Sequence, residues 1–282
     1  METFLISFAG SIVSIQIDTN KALNFLDFLF TDMPPDEKAI ERKTFTLTYD
    51  DETATYSFLD DHTQLYRGKL GVKCAALIYD SVIYYLLSKA SDGIALHGGA
   101  VTYNNRVVLL PGISGAGKSS LTGWLISRGY SYLTDELVFF PKHHANQVQY
   151  LSRPVCLKPK SVPLLKPLVA DGLISEVLED KDGAIIPHRL LNSAFKKVSS
   201  LPELILLPDY QSGSPLDINK MSKAQLSTIL MGCHVNARNL ENHGFNQILT
   251  IAKSTPAYRI SYSNFQGVSE MLDTLLEPIQ TD

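Results

Sequence analysis

The sequence predicts a mixed α/β fold: one sheet with flanking helices, preceded by a small β-rich region. Three observations carry this. Stretches near the N-terminus alternate in polarity residue by residue, as half-buried strands do. Apolar side chains at 72, 75, 76, 79, 82, 83, 86 and 87 recur with the period of about 3.6 residues expected of a helix with one buried stripe. An apolar run, Val107–Leu110, leads into a glycine-rich loop that is followed at once by a helical pattern.

The elements follow in order. Ile12–Ile17 alternates and is apolar on one face, and Thr44–Tyr49 and Thr53–Phe58 flank Asp50-Asp51-Glu52 as a hairpin flanks its turn. Val72–Leu87 is the helix. From Ile94 the pattern changes: Ile94–Tyr103 and Arg106–Leu110 are strand-like and separated by Asn104-Asn105, a pair that tolerates the positive φ of a two-residue turn. Ser119–Arg128 reads as a helix that Gly129 ends, and Tyr130–Thr134 and Leu137–Phe140 as strands. Beyond these come extended Arg153–Leu157, helix-like pieces over 161–178, a buried strand at Glu203–Leu207, helices at 222–231, 243–253 and 264–276, and a late strand, Ala257–Tyr262. The shift near residue 90 divides the chain into a small α+β region, 1–90, and a larger unit, 91–282.

Composition narrows the function. With 282 residues, 45% hydrophobic and 19% charged, the chain has the balance of a soluble globular protein. A net charge of −4 disfavours a basic nucleic-acid binder, and the 13 tyrosines are spread without basic residues between them. Cys74, Cys156 and Cys233 are scattered and have no CxxC spacing, which argues against a disulfide framework or a cysteine zinc site and fits a reducing cytoplasm. The most apolar long stretch, Ala75–Leu87, is broken by Asp80 and Ser81, and it is shorter than the roughly 20 residues a bilayer span needs. Met1-Glu2-Thr3-Phe4 has no basic signal-peptide start. A cytoplasmic protein without membrane or nucleic-acid partners is expected.

The chemistry centres on Gly112-Ile113-Ser114-Gly115-Ala116-Gly117-Lys118-Ser119, which matches the phosphate-binding pattern G-x-x-x-x-G-K-[ST] and runs on into Ser120. Its glycines let backbone N–H groups converge on phosphate oxygens, and the following helix adds its free N–H groups and positive dipole end. Lys118 supplies a charge for the β and γ phosphates, and the Ser119 hydroxyl is a Mg²⁺ ligand.

Geometry brings other residues to this loop. With a turn at Asn104-Asn105, Tyr103 pairs with Arg106, and the continued register sets His97 opposite Gly112 unless a bulge at Gly98-Gly99 intervenes. Downstream, a ten-residue helix runs out about 15 Å, and the five strand residues 130–134 return about 16 Å. Asp135-Glu136 therefore arrives beside Lys118 and Ser119. Carboxylates there can hold Mg²⁺ or accept the proton of an attacking hydroxyl.

His97-Gly98, the loop, Gly129 and Asp135-Glu136 together resemble HPr kinase/phosphorylase, a P-loop family in the superfamily of phosphoenolpyruvate carboxykinase. They resemble more closely the HPr-kinase-related proteins found beside bacterial genes for peptide or cell-surface products. A looser likeness runs through Arg153–Lys158 and Pro256–Arg259. The resemblance implies ATP and Mg²⁺ as cofactors, Lys118 on phosphate, Ser119 on the metal and His97 near the acidic pair. Of that pair, Asp135 is favoured as base and Glu136 as metal-proximal. The family has aspartate at both positions, a larger N-terminal domain, a downstream Glu-Ile-Arg-Gly stretch and a Pro-x-Arg-Pro-Gly-Arg-like loop that this chain lacks.

Phosphoryl transfer also needs cations around the moving group, and Arg153 and Lys158 are the candidates, alongside their bland reading as strand-end surface residues. Arg259 is a weaker one. His143-His144 is a polar turn, His62, His188, His234 and His243 have no informative spacing, Trp124 is packing, and Tyr84-Tyr85 is helix core. The leading expectation is a kinase that moves the γ-phosphate of ATP to a hydroxyl, with a serine of a protein or ribosomally made peptide favoured. Residues 1–90 then recognise the acceptor or carry oligomer contacts. The alternatives are a small-molecule kinase on the same site and a regulator that binds nucleotide without transfer.

Overall fold

A computed structural model describes the chain except for residues 34, 35, 37, 114, 144–146, 196, 197 and 277–282. The first part is a five-stranded sheet of β1 (Glu2–Phe8), β2 (Ser11–Ile17), β3 (Ile40–Asp50), β4 (Thr55–Asp60) and β5 (Thr63–Gly68), in that spatial order. Helix α1 (Asn20–Phe30) follows β2, and α2 (Val72–Leu87) follows β5. Ile6, Val13, Ile15, Phe45, Leu47 and Phe58 from the sheet meet Leu26 and Leu29 of α1 and Ile78, Val82 and Leu86 of α2 in one core, which continues into Ala95, Leu137, Phe139, Leu151 and Ile185 of the second part.

The β2–β3 crossover is parallel and contains α1, whose N-terminus is capped by the Thr19 hydroxyl accepting from Ala22 N–H. The sequence reading missed β1, α1 and β5. Leu5 and Phe4 interrupt a clean alternation in β1, and the polar Thr63–Gly68 has little burial to pattern it.

The second part is an eight-stranded sheet. Its strands are β6 (Gly93–Tyr103), β7 (Arg106–Pro111), β8 (Ser131–Thr134), β9 (Leu137–Pro141), β10 (Gln149–Tyr150), β14 (Leu204–Tyr210), β15 (Asp217–Lys220) and β16 (Ala257–Tyr262). The spatial order is β10-β9-β6-β7-β14-β16-β15, with β8 also on β6. A separate three-stranded sheet joins β11 (Val155–Leu157), β13 (Gly183–Ile186) and β12 (Leu178–Asp180).

Helix α3 (Lys118–Ser127), the short α4 (Val162–Leu165) and α7 (Val268–Leu276) cover one face of the large sheet. Helices α5 (Lys223–Gly232) and α6 (Phe245–Ser254) cover the other. Alternate residues of β7 serve the two faces: Val108 and Leu110 pack under α3, while Val107 and Leu109 face α5 and α6.

Two turns set the site. Asn104 and Asn105 both take positive φ (50° and 64°), and Tyr103 pairs with Arg106, so the β6–β7 hairpin holds an unbroken register to Gly98–Pro111. Along its other edge β6 is shared: His97 pairs with Leu137 of β9 and Ala100 with Thr134 of β8. Asp135-Glu136 is the kink between these two strands. The Thr134 hydroxyl holds the kink by donating to the Leu151 carbonyl (2.6 Å) and accepting from the N–H groups of Glu136 (3.0 Å) and Leu137 (3.2 Å).

Candidate active site

The glycine-rich loop leaves the end of β7 and opens α3. Gly115 and Gly117 have φ of 92° and 94°, where an L-side chain is strained. Gly117 also has no room for one, because an added Cβ would stand 2.7 Å from the Tyr262 hydroxyl. Lys118 begins α3, is 5% exposed, and donates from Nζ to the Ile113 carbonyl at 2.9 Å. Its ammonium thus rests on the loop it serves. Burial pulls its pKa below the ordinary lysine range, while Cys233, Glu136 and Asp135 act the other way. Ile113 is exposed and Ala116 half-buried; Ser114 lies outside the described residues.

The kink delivers both carboxylates to this loop. They share a cavity of about 330 Å³ with His97, Gly115, Gly117, Lys118, Ser119, Ser120, Arg153 and Lys158. Asp135 is buried. Cys156 N–H donates to its Oδ2 (3.3 Å), the Tyr132 hydroxyl stands 3.2 Å from its Oδ1, and Ser119 lines the same cavity. Burial raises its pKa, with Arg153 opposing. Glu136 is different. Burial works to raise it too, but Arg153 and His97 outweigh that and hold its carboxyl at about 2. His97 Nδ1 is 2.9 Å from the Glu136 carbonyl and 3.3 Å from its Oε1.

Arg153, a candidate cation for the transferring group, lines the same cavity and is buried, unlike its alternative reading as a strand-end surface residue. It is 8% exposed, pairs with Glu136 through Nη2, stands 3.6 Å from Asp135 through Nε, and lies 4.7 Å over the Tyr79 ring. Residues 153–154 precede β11 inside the core, and sequence alone gave no sign of a partner. Lys158 is exposed and lines the same cavity. Arg259 sits exposed on β16, away from that lining.

Sequence reasoning missed the far wall. Val72, Ala76, Tyr79, Asp80 and Ile83 of α2 line the cavity, as does Asp182. The helix was legible, but which face met the loop was not. Burial raises the pKa of Asp80, and the Glu136 charge adds to the effect.

Two other readings need correction. Tyr84 is 68% exposed rather than core. His188 has a partner after all: its Nε2 is 2.6 Å from Asp32, and its ring stacks on Tyr132 at 4.6 Å. No spacing could reveal that pair, 156 residues apart. Trp124 packs, stacked on Phe265. Of His143-His144, His144 lies outside the described residues.

The donor set suits a hard cation only in part. Among the described residues, no group of three or more His, Cys, Asp or Glu converges as a metal cage. Ser119 and Asp135 nonetheless place two adjacent oxygens beside the phosphate loop. That fits Mg²⁺, which takes one or two protein oxygens and completes its shell with phosphate and water. No helix among the described residues is long and apolar enough to cross a membrane.

Comparison with known proteins agrees with the motif resemblance. Over 68 residues the chain is 40% identical to the HPr kinase/phosphorylase of Aromatoleum aromaticum, a match covering 24% of this chain and 22% of that one. The chain thus matches only about a fifth of that curated relative's length. The solved HPr(Ser) kinase/phosphatase of Coxiella burnetii aligns with 64% of this chain and 87% of its own, at 14% identity and a TM-score of 0.33. No protein-family model matches the chain. Over that 68-residue stretch the chain is similar to HPr kinase/phosphorylase, and its architecture is mixed α/β.

Proposed function

We propose that this protein is an ATP- and Mg²⁺-dependent kinase that phosphorylates a hydroxyl, with a serine of a protein or peptide as the favoured acceptor. One observation carries the reading: a buried carboxylate, Asp135, shares a cavity with the Lys118–Ser119 end of a phosphate loop. The relative's name, HPr kinase/phosphorylase, supports phosphoryl transfer as the reaction class.

In this reading the loop's N–H groups and Lys118 hold the β and γ phosphates. Ser119 and Asp135 are the protein oxygens that hold Mg²⁺, which when bound neutralises charge on the phosphates. Asp135 takes the proton of the acceptor hydroxyl. The freed oxygen attacks the γ-phosphorus as the bond to the β-phosphate oxygen breaks. Glu136, kept ionised by Arg153 and His97, holds those two side chains at the rim and stands metal-proximal. Lys158 lines the cavity, and in this reading its charge stabilises the transferring group.

The α2 wall supports assigning residues 1–90 the acceptor side of the cavity and residues 91–282 the nucleotide side. Apolar Val72, Ala76 and Ile83 give an acceptor chain a surface to lie on.

The test is transfer of the γ-label of ATP, with Mg²⁺, to hydroxyl-bearing peptides and small molecules, read by mass spectrometry. Phosphoserine in a peptide supports the reading in full. Label on a small molecule alone shifts it to a small-molecule kinase. ATP binding with no transfer to any acceptor makes the protein a nucleotide-binding regulator.

A further inference from the structure

The loop has two flanks. One is the cavity toward α2, β6 and the acidic pair, and it must take the γ-phosphate and the acceptor. The other is formed by β14 and β16. Both run parallel to β7: Leu204 pairs with Val108 and Ile205 with Leu109, and Ile205–Tyr210 pairs with Ala257–Tyr262. Their C-terminal ends therefore emerge on the same edge of the sheet as the phosphate loop, where open α/β sheets bind ligands. β6 is antiparallel to β7, so the strand direction reverses at the loop itself.

Tyr210 ends β14 and Tyr262 ends β16, paired with ring centroids 6.0 Å apart. Tyr262 is 1% exposed, and its hydroxyl, buried without a hydrogen-bond partner among the described residues, is directed at Gly117. Tyr210 is 50% exposed, and its Cβ would lie 3.4 Å from a side-chain carbon built on Gly117. Tyr210, half open to solvent, with its Cβ against the phosphate loop and its ring beside a second, buried ring, has the form of a stacking platform.

Resting on the nucleotide-binding reading above, we infer that Tyr210 stacks on the purine ring of the bound nucleotide, so that the base lies over β14 and the acceptor enters from α2. Every base has a π-face, so this contact adds affinity while discriminating little among bases. With phosphates held at α3, the base and the acceptor occupy opposite flanks of the loop and do not compete for the cavity.

The experiment measures Mg-ATP and Mg-tripolyphosphate binding by calorimetry on wild type, Tyr210→Ala, Tyr210→Phe and Lys118→Ala. The expected result is about tenfold weaker ATP binding in Tyr210→Ala, with tripolyphosphate unchanged and Tyr210→Phe close to wild type. An unchanged ATP affinity in Tyr210→Ala overturns the inference. So does an equal loss for ATP and tripolyphosphate, which would mean that the substitution had only disturbed the loop. Failure of the underlying reading looks different: wild type then binds neither ligand, or Lys118→Ala binds both as well as wild type.

Discussion

Arg153 is ion-paired with Glu136 at the rim of the phosphate-loop cavity, with its own side chain only 10% exposed. Burying such a pair is seldom a large net gain, but removing one partner leaves an uncompensated charge. Here the loss also reaches Asp135, 3.6 Å from Nε, and the Tyr79 ring beneath the guanidinium.

Arg153→Met is therefore expected to lower unfolding stability by about 3–5 kcal/mol in urea titrations. Adding Glu136→Gln to that variant should recover part of the loss. A double variant no more stable than Arg153→Met would show that the two side chains are not energetically coupled.

Acid should reveal the same pair. The folded-state pKa of Glu136 is depressed from 4.5 to about 2, Arg153 and His97 prevailing over burial. A depressed carboxyl stabilises the fold fully above its unfolded pKa, and that contribution fades as the pH falls from about 4.5 toward 2. Its full size is on the order of 3 kcal/mol. Glu136→Gln should be less stable than wild type at pH 7, and the difference should shrink steadily below pH 4.5. Parallel stability curves for the two proteins over that range would contradict the assignment.

The loop makes its own demand. Gly117→Ala meets both a left-handed φ of 94° and the Tyr262 hydroxyl. The expected cost is about 1–3 kcal/mol. Gly117→Ala on a Tyr262→Phe background removes the closest clash but not the strain, so it should be only partly restored. Thermal unfolding of the three variants checks this; full restoration would make the clash the whole effect.

What the sequence disclosed followed from local rules. The Asn104-Asn105 turn allowed the hairpin register to be counted down to Gly98, the α2 period marked Val72–Leu87 to the residue, and the out-and-back path of α3 and β8 brought Asp135-Glu136 to the loop. The count fell short by one residue: His97 leaves β7 and bonds through its N–H to the Cys233 carbonyl, a chain segment that no local rule places there. The burial of Arg153 was not legible, because its neighbours in sequence are not the groups that bury it. Tyr79, Glu136 and Cys156 do that, from three different elements or turns. Asp80 and Tyr210 were equally silent, since their roles depend on which faces of α2 and β14 meet the loop.

In the proposed reaction Asp135 takes the acceptor proton. Single-turnover transfer of the γ-phosphate by Asp135→Asn, with ATP affinity measured on the same preparation, tests it most directly. The expected transfer rate is lower by about 10²–10⁴-fold, with ATP affinity within a few-fold of wild type. Transfer by the variant at the wild-type rate would contradict it.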